Sequence, residues 1–260
     1  MTFIHVLILW VVEGITEFLP ISSTAHLILT TSFLKIHQTD QVALFQIVIQ
    51  CGAILAVVAL FWKKIQENPE IFKKVCVAFL PTALMGYIFH SIVKTVLFES
   101  TFIISLALII VGILFLVIEW LIVKGLLKNN RDISSLTYSE VLLIGIIQGI
   151  AIIPGISRAG AVIIGMMAMK FKRTDSALFS FLLAVPTIAA ASLFELININ
   201  QSLITGSLIT SLIIGSIVAC ISALLVVKWL IKYLQNHSLI YFGIYRIILG
   251  ILLLLIGSGN

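Results

Sequence analysis

The chain has 260 residues, of which 61% are hydrophobic and only 10% are charged, and its mean hydropathy is +1.22. Soluble domains carry about 25% charged residues, so this composition excludes a soluble globular protein and predicts an all-α polytopic membrane protein. The net charge of +5 does not indicate a nucleic-acid partner, because in a membrane protein the placement of Lys and Arg matters more than their sum.

Six apolar segments are each long enough to cross about 30 Å of hydrocarbon as a helix. These predicted spans are residues 44–61, 75–97, 101–123, 177–197, 203–227 and 239–257. Four further apolar segments are shorter and are interrupted by Pro, Gly or polar residues. They are residues 3–18, 22–34, 141–153 and 158–170. They form two pairs, and short broken segments in matching positions of two halves predict re-entrant helix pairs of an internal repeat.

The repeat is visible when the sequence is compared with itself at an offset of 135 residues. Glu13 then falls on Gln148, and both halves keep a helix breaker between their paired segments. The segment Ile21–Ser23 falls on Ile156–Arg158. The helix breaker, the serine (Ser22 and Ser157) and the polar residue (Glu13 and Gln148) all coincide at this offset. We therefore interpret the match as an internal duplication.

The chain is predicted to form a single membrane domain over residues 1–260, with repeat halves of about 1–130 and 131–260. Each half holds three full spans, an odd number, so the halves are expected to be inverted relative to each other. The positive-inside rule fits this topology if both termini are outside, because most Lys and Arg then lie on the cytoplasmic side. These residues are Lys63, Lys64, Lys73, Lys74, Lys124, Lys128, Arg131, Lys170, Lys172, Arg173, Lys228 and Lys232. The re-entrant pairs would then enter from opposite faces, so that the breaks at 19–23 and 154–158 meet inside the membrane.

The stretch E-G-I-T-E-F-L-P-I-S-S-T-A-H-L, residues 13–27, gathers carboxylates, hydroxyls and a histidine in an otherwise apolar chain. Glu13 and Glu17 are four residues apart and share a helix face. Ionisable side chains within an apolar, membrane-embedded segment usually face a cavity or an oppositely charged or polar partner. The pair is predicted either to hold a divalent cation or to supply a general base, and the spacing leaves both roles open.

Pro20 ends the helix that carries the glutamates, and hydroxyl side chains follow at once. Ser22, Ser23 and Thr24 either cap the next helix or bind an anion at its N-terminus. A serine is also a candidate nucleophile where a base lies near. His26 follows Ser23 by three residues, so the two can share a helix face. A lone histidine in a helix is more often structural, but beside the serines and glutamates we expect His26 to activate a serine or water, or to attack phosphorus itself.

Arg158 lies at the second break, after P-G-I-S, and an arginine in lipid needs an anionic partner. Its planar guanidinium suits bidentate contact with a phosphate. The alternative is a salt bridge to Glu13 or Glu17 that only holds the breaks together, and both arrangements can hold in turn. Ser157 is expected to cap the following helix or to donate to the same anion. Arg246, in the last predicted span, is expected to have a structural partner.

Five segments of the chain carry a family resemblance. They are E-G-I-T-E-F-L-P-I-S-S-T-A-H-L, F-Q-I-V-I-Q-C-G-A-I-L-A-V, P-G-I-S-R-A-G-A, F-S-F-L-L-A-V-P-T and F-G-I-Y-R-I-I-L-G. Together, in this order and covering about residues 8 to 255, they resemble the bacterial undecaprenyl-diphosphate phosphatase family of the bacitracin-resistance type. The resemblance implies hydrolysis of undecaprenyl diphosphate to undecaprenyl phosphate and inorganic phosphate. That reaction recycles the lipid carrier for cell-wall synthesis and gives bacitracin resistance.

The resemblance also implies dependence on a divalent cation, Mg²⁺ or Ca²⁺, a homodimer, and a site open to the outer face of the bacterial plasma membrane. Matched by position, the family's acidic pair, its hydroxyl and histidine cluster and its second motif fall on Glu13, Glu17, Ser22, Ser23, Thr24, His26, Ser157 and Arg158. The chain departs from the family pattern at Ala25, which replaces a usual glycine. Ala159 and Val162 replace hydroxyl residues, which weakens any claim that those hydroxyls are needed to bind phosphate.

The sequence therefore predicts an integral membrane phosphatase. In this scheme Glu13 and Glu17 hold the cation. Arg158 and the N–H groups at the breaks bind the diphosphate, while Ser23 and His26 carry phosphoryl transfer in an order that stays open. The prenyl tail would lie between spans, in contact with membrane lipid. The alternative is a transporter or flippase of a prenyl-phosphate lipid, since inverted repeats with broken helices are typical of transporters.

Overall fold

The computed structural model describes residues 3–36, 40–92, 100–198 and 206–257. Within these ranges the regular structure is helical, apart from one isolated β-bridge between Arg131 and Phe171. The helices are α1 (Phe3–Thr16), α2 (Ser23–Phe33), α3 (Asp40–Glu67), α4 (Pro69–Ile92), α5 (Thr101–Val123), α6 (Tyr138–Ile150), α7 (Arg158–Ala168), α8 (Arg173–Asn198), α9 (Gly206–Asn236) and α10 (Ile240–Gly257). The predicted all-α class is confirmed. Parts of two predicted spans, at 93–97 and 203–205, lie outside the described residues.

Five helices of the described chain are long and apolar enough to cross a membrane, namely α3, α4, α5, α8 and α9. This confirms the prediction of a polytopic membrane protein. The sixth predicted span, 239–257, is α10, an apolar helix of 18 residues that is shorter than the other five. Some helices also run past their apolar segments, since α3 ends at Glu67 and α9 at Asn236. Hydropathy detects only the apolar part of such a helix, whose polar end continues towards water.

The predicted re-entrant pairs are α1 with α2 and α6 with α7, whose helices contain 14, 11, 13 and 11 residues. At about 1.5 Å per residue none of the four can cross about 30 Å of hydrocarbon. We call the turn at residues 17–22 the first tip and the turn at 151–157 the second tip. Each tip ends in an N-cap serine with positive φ, Ser22 at 73° and Ser157 at 69°. These two serines stand at the predicted offset of 135 residues.

Hydrogen bonds gather the basic segments at one end of the helix bundle, which we call the basic end. The Tyr138 hydroxyl, at the start of α6, donates to Glu70 at the start of α4 at 2.6 Å. Arg173 of α8 donates to Glu119 of α5. The Glu119 carboxylate also accepts the N–H of Leu239, which precedes α10, at 2.8 Å. The ends of helices that carry most of the predicted cytoplasmic Lys and Arg therefore lie together.

The apolar core is centred on α7 and α8, which pack against each other, while α8 also packs against α3 and α9. Fully buried side chains from these helices include Ile163, Met166, Phe179, Phe181 and Val227. Large apolar side chains also cover the outside of the bundle, as expected for helices in contact with lipid. They include Leu80 and Leu84 of α4 and Ile217, Ile221 and Leu225 of α9.

The last helix, α10, packs backbone to backbone against α5. A Cβ atom on Gly112 would lie 2.8 Å from the carbonyl oxygen of Gly243, and one on Gly243 would lie 2.9 Å from the carbonyl oxygen of Gly112. Only glycine permits so close an approach at either position. This packing fixes α10 beside the two tips, where it presents the adjacent residues Tyr245 and Arg246.

Candidate active site

Glu13 at the end of α1 and Glu17 in the first tip lie one helical turn apart, as predicted. The N–H of Glu17 still donates to the carbonyl of Glu13, at 2.9 Å, although α1 ends at Thr16. Pro20 lacks an N–H and turns the chain. The next helix then begins at Ser23, and the hydroxyl of the preceding Ser22 accepts a hydrogen bond from the third residue after it. The predicted capping of α2 is therefore present.

Glu17 is the centre of the contacts between the two tips. Its Oε2 accepts a hydrogen bond from the Ser23 hydroxyl at 2.6 Å, and its Oε1 accepts one from Arg158 at 2.7 Å. Arg158 also donates to the carbonyl of Ser180 on α8 at 3.1 Å. The side chains of Glu17 and Arg158 are 8% and 13% exposed, so the two charges meet where little water screens them. Of the partners that the sequence left open for Arg158, the structure shows Glu17.

A cavity of about 530 Å³ borders this centre. Both tips line it, through Glu17, Ser22, Ser23, Thr24, Ser157 and Arg158. The wall formed by α4 and α8 is largely apolar and includes Phe79, Ala83, Gly86, Ala190, Ala191 and Phe194. The N-termini of α2 and α7 both border the cavity, and helix N-termini favour anions. One cavity thus joins an anion-binding end to a wall suited to hydrocarbon.

Gln148 adds a further polar side chain to the cavity wall. Its Nε2 donates to the hydroxyls of Thr82 and Thr187, each at 3.0 Å. The Thr82 hydroxyl donates to the carbonyl of Gly145 and the Thr187 hydroxyl donates to the carbonyl of Leu183. Both hydroxyl oxygens therefore accept from the Gln148 amide. Gln148 thereby joins α6 to α4 and α8, at the position that matches Glu13 in the other half.

Glu13 is fully buried and does not line the cavity. Neither of its carboxylate oxygens has a hydrogen-bond partner among the described residues. An unpartnered carboxylate in an apolar interior is costly, so the position fits a bound proton or a cation. No group of three or more His, Cys, Asp or Glu side chains forms a metal-binding cluster in the described ranges. A cation held by Glu13 and Glu17 would take its other ligands from phosphate and water, as Mg²⁺ does at phosphate sites.

His26 does not line the cavity, although the three residues before Ala25 do. Its Nδ1 lies 2.7 Å from the carbonyl oxygen of Ser22, and its Nε2 lies 2.6 Å from the hydroxyl oxygen of Tyr245. The structure thus brings the other catalytic candidates together but leaves the His26 ring in contact with α10. The catalytic role of His26 stays a prediction.

Arg246 joins the two tips. It is fully buried and donates to the carbonyls of Pro20 at 3.0 Å, Gly155 at 2.7 Å and Ile156 at 2.9 Å. The structural partners expected for Arg246 are therefore backbone carbonyls of both tips. Sequence reasoning missed the neighbouring Tyr245. The available signal was its place in F-G-I-Y-R, beside a charged residue within a predicted span.

Comparison with known proteins gives matches along nearly the whole chain. The family described as "Bacitracin resistance protein BacA" matches residues 6–252. A protein of Sulfurihydrogenibium sp. (strain YO3AOP1) named undecaprenyl-diphosphatase is 44% identical, over 97% of this chain and 98% of the relative. Proteins of the same name from Aquifex aeolicus (strain VF5) and Wolinella succinogenes are 42% and 43% identical. The first covers 96% of this chain and 97% of the relative, and the second covers 98% of each.

Proposed function

Because this chain belongs to the bacitracin resistance protein BacA family, we propose that it hydrolyses undecaprenyl diphosphate to undecaprenyl phosphate and inorganic phosphate. This reaction recycles the lipid carrier for cell-wall synthesis and gives bacitracin resistance. The observation that carries the proposal is the contact of Glu17 with both Ser23 and Arg158 beside the cavity. A prenyl diphosphate matches this cavity, because its anionic head suits the anion-binding end and its hydrocarbon tail suits the apolar wall.

The anionic head is bound by charge and by helix N-termini. Arg158 exchanges Glu17 for the terminal phosphate, to which its guanidinium can make two parallel hydrogen bonds. Ser22, Thr24 and Ser157 line the same end of the cavity and complete the head-group site with their hydroxyls and with the N–H groups of α2 and α7. This exchange releases the Glu17 carboxylate from Arg158 when substrate arrives.

Ser23 is the nucleophile in this proposal and Glu17 is its base. The Ser23 hydroxyl already donates to Glu17 at 2.6 Å, so its proton passes to Glu17 as Oγ bonds to the terminal phosphorus. The bond from that phosphorus to the bridging oxygen breaks, and undecaprenyl phosphate leaves. Water then attacks the phosphoserine, Glu17 returns its proton to Ser23 Oγ, and inorganic phosphate leaves with the hydrogens of the water. Arg158 stabilises the charge on the transferred phosphoryl group throughout.

Glu13 and Glu17 are proposed to hold the divalent cation, Mg²⁺ or Ca²⁺. The buried, unpartnered oxygens of Glu13 support this assignment, because carboxylates are the ligands that such ions prefer. When bound, the cation would neutralise part of the charge on the diphosphate.

The prenyl tail is proposed to leave the cavity along α4 and α8 towards the lipid. The cavity reaches Tyr87 and Glu195, which lie near the ends of these helices that are farthest from the basic end. With the basic end in the cytoplasm, the site opens to the outer face of the bacterial plasma membrane. We propose this orientation, with both termini outside, and the homodimer that the family resemblance implies.

The test is phosphate release from undecaprenyl diphosphate, or from a shorter prenyl diphosphate, by the purified full chain with Mg²⁺ or Ca²⁺. Ser23→Ala is expected to abolish release. Ser32→Ala, on the same helix but outside the cavity lining, is expected to keep it. Excess chelator is expected to stop the wild type. No release from folded wild-type protein with either cation would contradict the proposal and favour the transporter or flippase, which needs no nucleophile.

A further inference from the structure

We infer that His26 and Tyr245 are positioning residues of the first tip, which hold the carbonyl of Ser22 and, through it, the hydroxyl of Ser23. The inference rests on the proposed role of Ser23 as nucleophile. It gives Tyr245 a function in the reaction. It also gives His26 a role through hydrogen bonding, with no attack on phosphorus by its ring.

Both ring nitrogens of His26 have hydrogen-bond partners. The Ser22 carbonyl, 2.7 Å from Nδ1, can only accept, so Nδ1 carries a hydrogen and donates it. In the neutral ring Nε2 is then an acceptor, and the Tyr245 hydroxyl at 2.6 Å donates to it. The two rings lie within 11° of parallel, with their centroids 5.7 Å apart. Two hydrogen bonds and a ring contact therefore fix the orientation of His26.

The His26 ring is directed at α10 and away from the cavity. The cavity lining includes Ser23 but not His26. A nucleophile or general base must present a lone pair within hydrogen-bond reach of the atom or proton that it takes. The neutral ring has one such lone pair, on Nε2, and it is occupied by Tyr245.

The Ser22 backbone is a place where support is needed. Its φ of 73° and ψ of 93° are strained for any residue with a side chain, and surrounding contacts must hold them. Its carbonyl accepts the backbone N–H of His26 at 3.3 Å and the ring Nδ1–H at 2.7 Å, so the ring makes the shorter bond. Ser22 sets the direction in which α2 leaves the tip, and Ser23 is the next residue.

The second tip has the same strained serine but a different support. Ser157 has a φ of 69°, and Ala161 stands where His26 would be at the offset of 135 residues. There Arg246 donates to two backbone carbonyls of the tip. Because Arg246 is adjacent to Tyr245, one short segment of α10 supports both tips, the second directly and the first partly through His26.

Asparagine separates the two possible roles of His26. Asn198 donates from its side chain to the carbonyl of Phe194, four residues earlier, at 2.7 Å. An asparagine on a helix of this chain can therefore make the bond that His26 makes to Ser22. His26→Asn keeps this donor but has no imidazole lone pair, whereas His26→Ala loses both.

The kcat for phosphate release is expected to fall about 100-fold in His26→Ala, the effect of misplacing reacting groups by about 1 Å. His26→Asn is expected to recover to within about tenfold of the wild type, since it restores the hydrogen bond. Tyr245→Phe keeps the ring contact and removes only the hydroxyl, and it is also expected to stay within about tenfold. The KM is expected to change little in all three variants, because neither side chain touches the substrate.

Equal losses in His26→Asn and His26→Ala, with thermal unfolding close to that of the wild type, would show that the imidazole itself is needed and would overturn the inference. Wild-type activity in His26→Ala would overturn it too. Where His26→Ala does not fold, a loss of about 100-fold or more in His26→Asn is the overturning result. Failure of the proposed function is distinguishable: Ser23→Ala in the same series would still release phosphate, or the wild type would release none. The positioning role would fall with it.

Discussion

The first tip and the second tip end alike but bring opposite charges to the cavity. Each is a turn between two short helices that ends in an N-cap serine with positive φ. In the first tip Ser23 follows this serine and donates to Glu17. In the second tip Arg158 stands at the matching position and reaches across to the same glutamate. The fold thus supplies two equivalent positions beside the cavity, and in the proposed reaction one holds the nucleophile and the other holds the cationic group.

Glu13 and Gln148 form a second matched pair of positions, and they too differ in charge between the two halves. Gln148 has two hydrogen-bond partners of its own and joins three helices. Glu13, at the equivalent place, is buried with no hydrogen-bond partner for its carboxylate among the described residues. Both hydrogens of the Gln148 amide are therefore paired, although its Oε1 has no partner among the described residues, whereas neither oxygen of the Glu13 carboxylate has one, which fits a cation or a proton.

Replacing Glu17 by Gln removes the base and the anionic partner of Arg158 while it keeps the shape of the side chain. We expect kcat to fall about 10³–10⁴-fold, the upper part of the range for loss of a general base. The measurement is steady-state phosphate release at saturating cation. Glu140→Gln is the matched control, because Glu140 pairs with Arg131 at 2.6 Å and does not line the cavity. Near wild-type activity in Glu17→Gln would show that the Glu17 carboxylate is not needed for catalysis. The opposite charges of the two tips would then not explain the activity.

Arg158→Lys keeps the positive charge of the second tip but loses the planar fork. We expect kcat/KM to fall about 10²–10³-fold, as for loss of a group that stabilises charge in the transition state. Arg131→Lys makes the same change in the pair of Arg131 with Glu140, away from the cavity, and is expected to leave kcat/KM near that of the wild type. Equal losses in both variants would mean that general destabilisation, not phosphate recognition, explains the effect.

Glu13→Gln gives the first half of the chain the residue type that the second half has at the matching position, Gln148. We expect the cation concentration for half-maximal activity to rise about 10–100-fold, as when a metal site loses a supporting group. The comparison variant Gln148→Leu is expected to lose about 1–2 kcal/mol of stability with its two hydrogen bonds and to keep the wild-type cation requirement. An unchanged cation requirement in Glu13→Gln would exclude Glu13 as a ligand.

Ser22→Ala and Ser157→Ala remove the same cap from the two tips. Each variant is expected to lose about 1 kcal/mol of stability. The midpoint of thermal unfolding is expected to fall equally in the two variants. Ser22→Ala is expected to lower kcat more than Ser157→Ala, by a factor of up to about ten, because it precedes the nucleophile. A larger loss of kcat in Ser157→Ala would contradict the assignment of the nucleophile to the helix that Ser22 caps.

The two short helix pairs and the pairing of Arg158 with a glutamate were predictable from the sequence. Hydropathy and the breakers Pro20 and Pro154 define short helices, and a charge in an apolar chain needs an opposite charge. The cation, the dimer and the outward-facing site stay predictions.

The direction of the His26 ring was not predictable. Spacing alone placed it on the face of Ser23, but the rotation of α2 about its axis is set by its neighbours in the fold. The deciding contact, with Tyr245, joins residues 219 positions apart in the sequence. The carbonyl partners of Arg246 are equally remote, since any backbone carbonyl has the same chemistry wherever it stands in the sequence.

If the two tips form one phosphatase centre, Ser23 takes up the phosphoryl group during each turnover. The most direct measurement mixes the purified chain with a prenyl diphosphate labelled in its terminal phosphate, quenches the reaction rapidly and locates the label by peptide mass spectrometry. Label is expected on Ser23, with slower labelling in Arg158→Lys and none in Ser23→Ala. Label on His26, or phosphate release by Ser23→Ala at the wild-type rate, would contradict this role of Ser23.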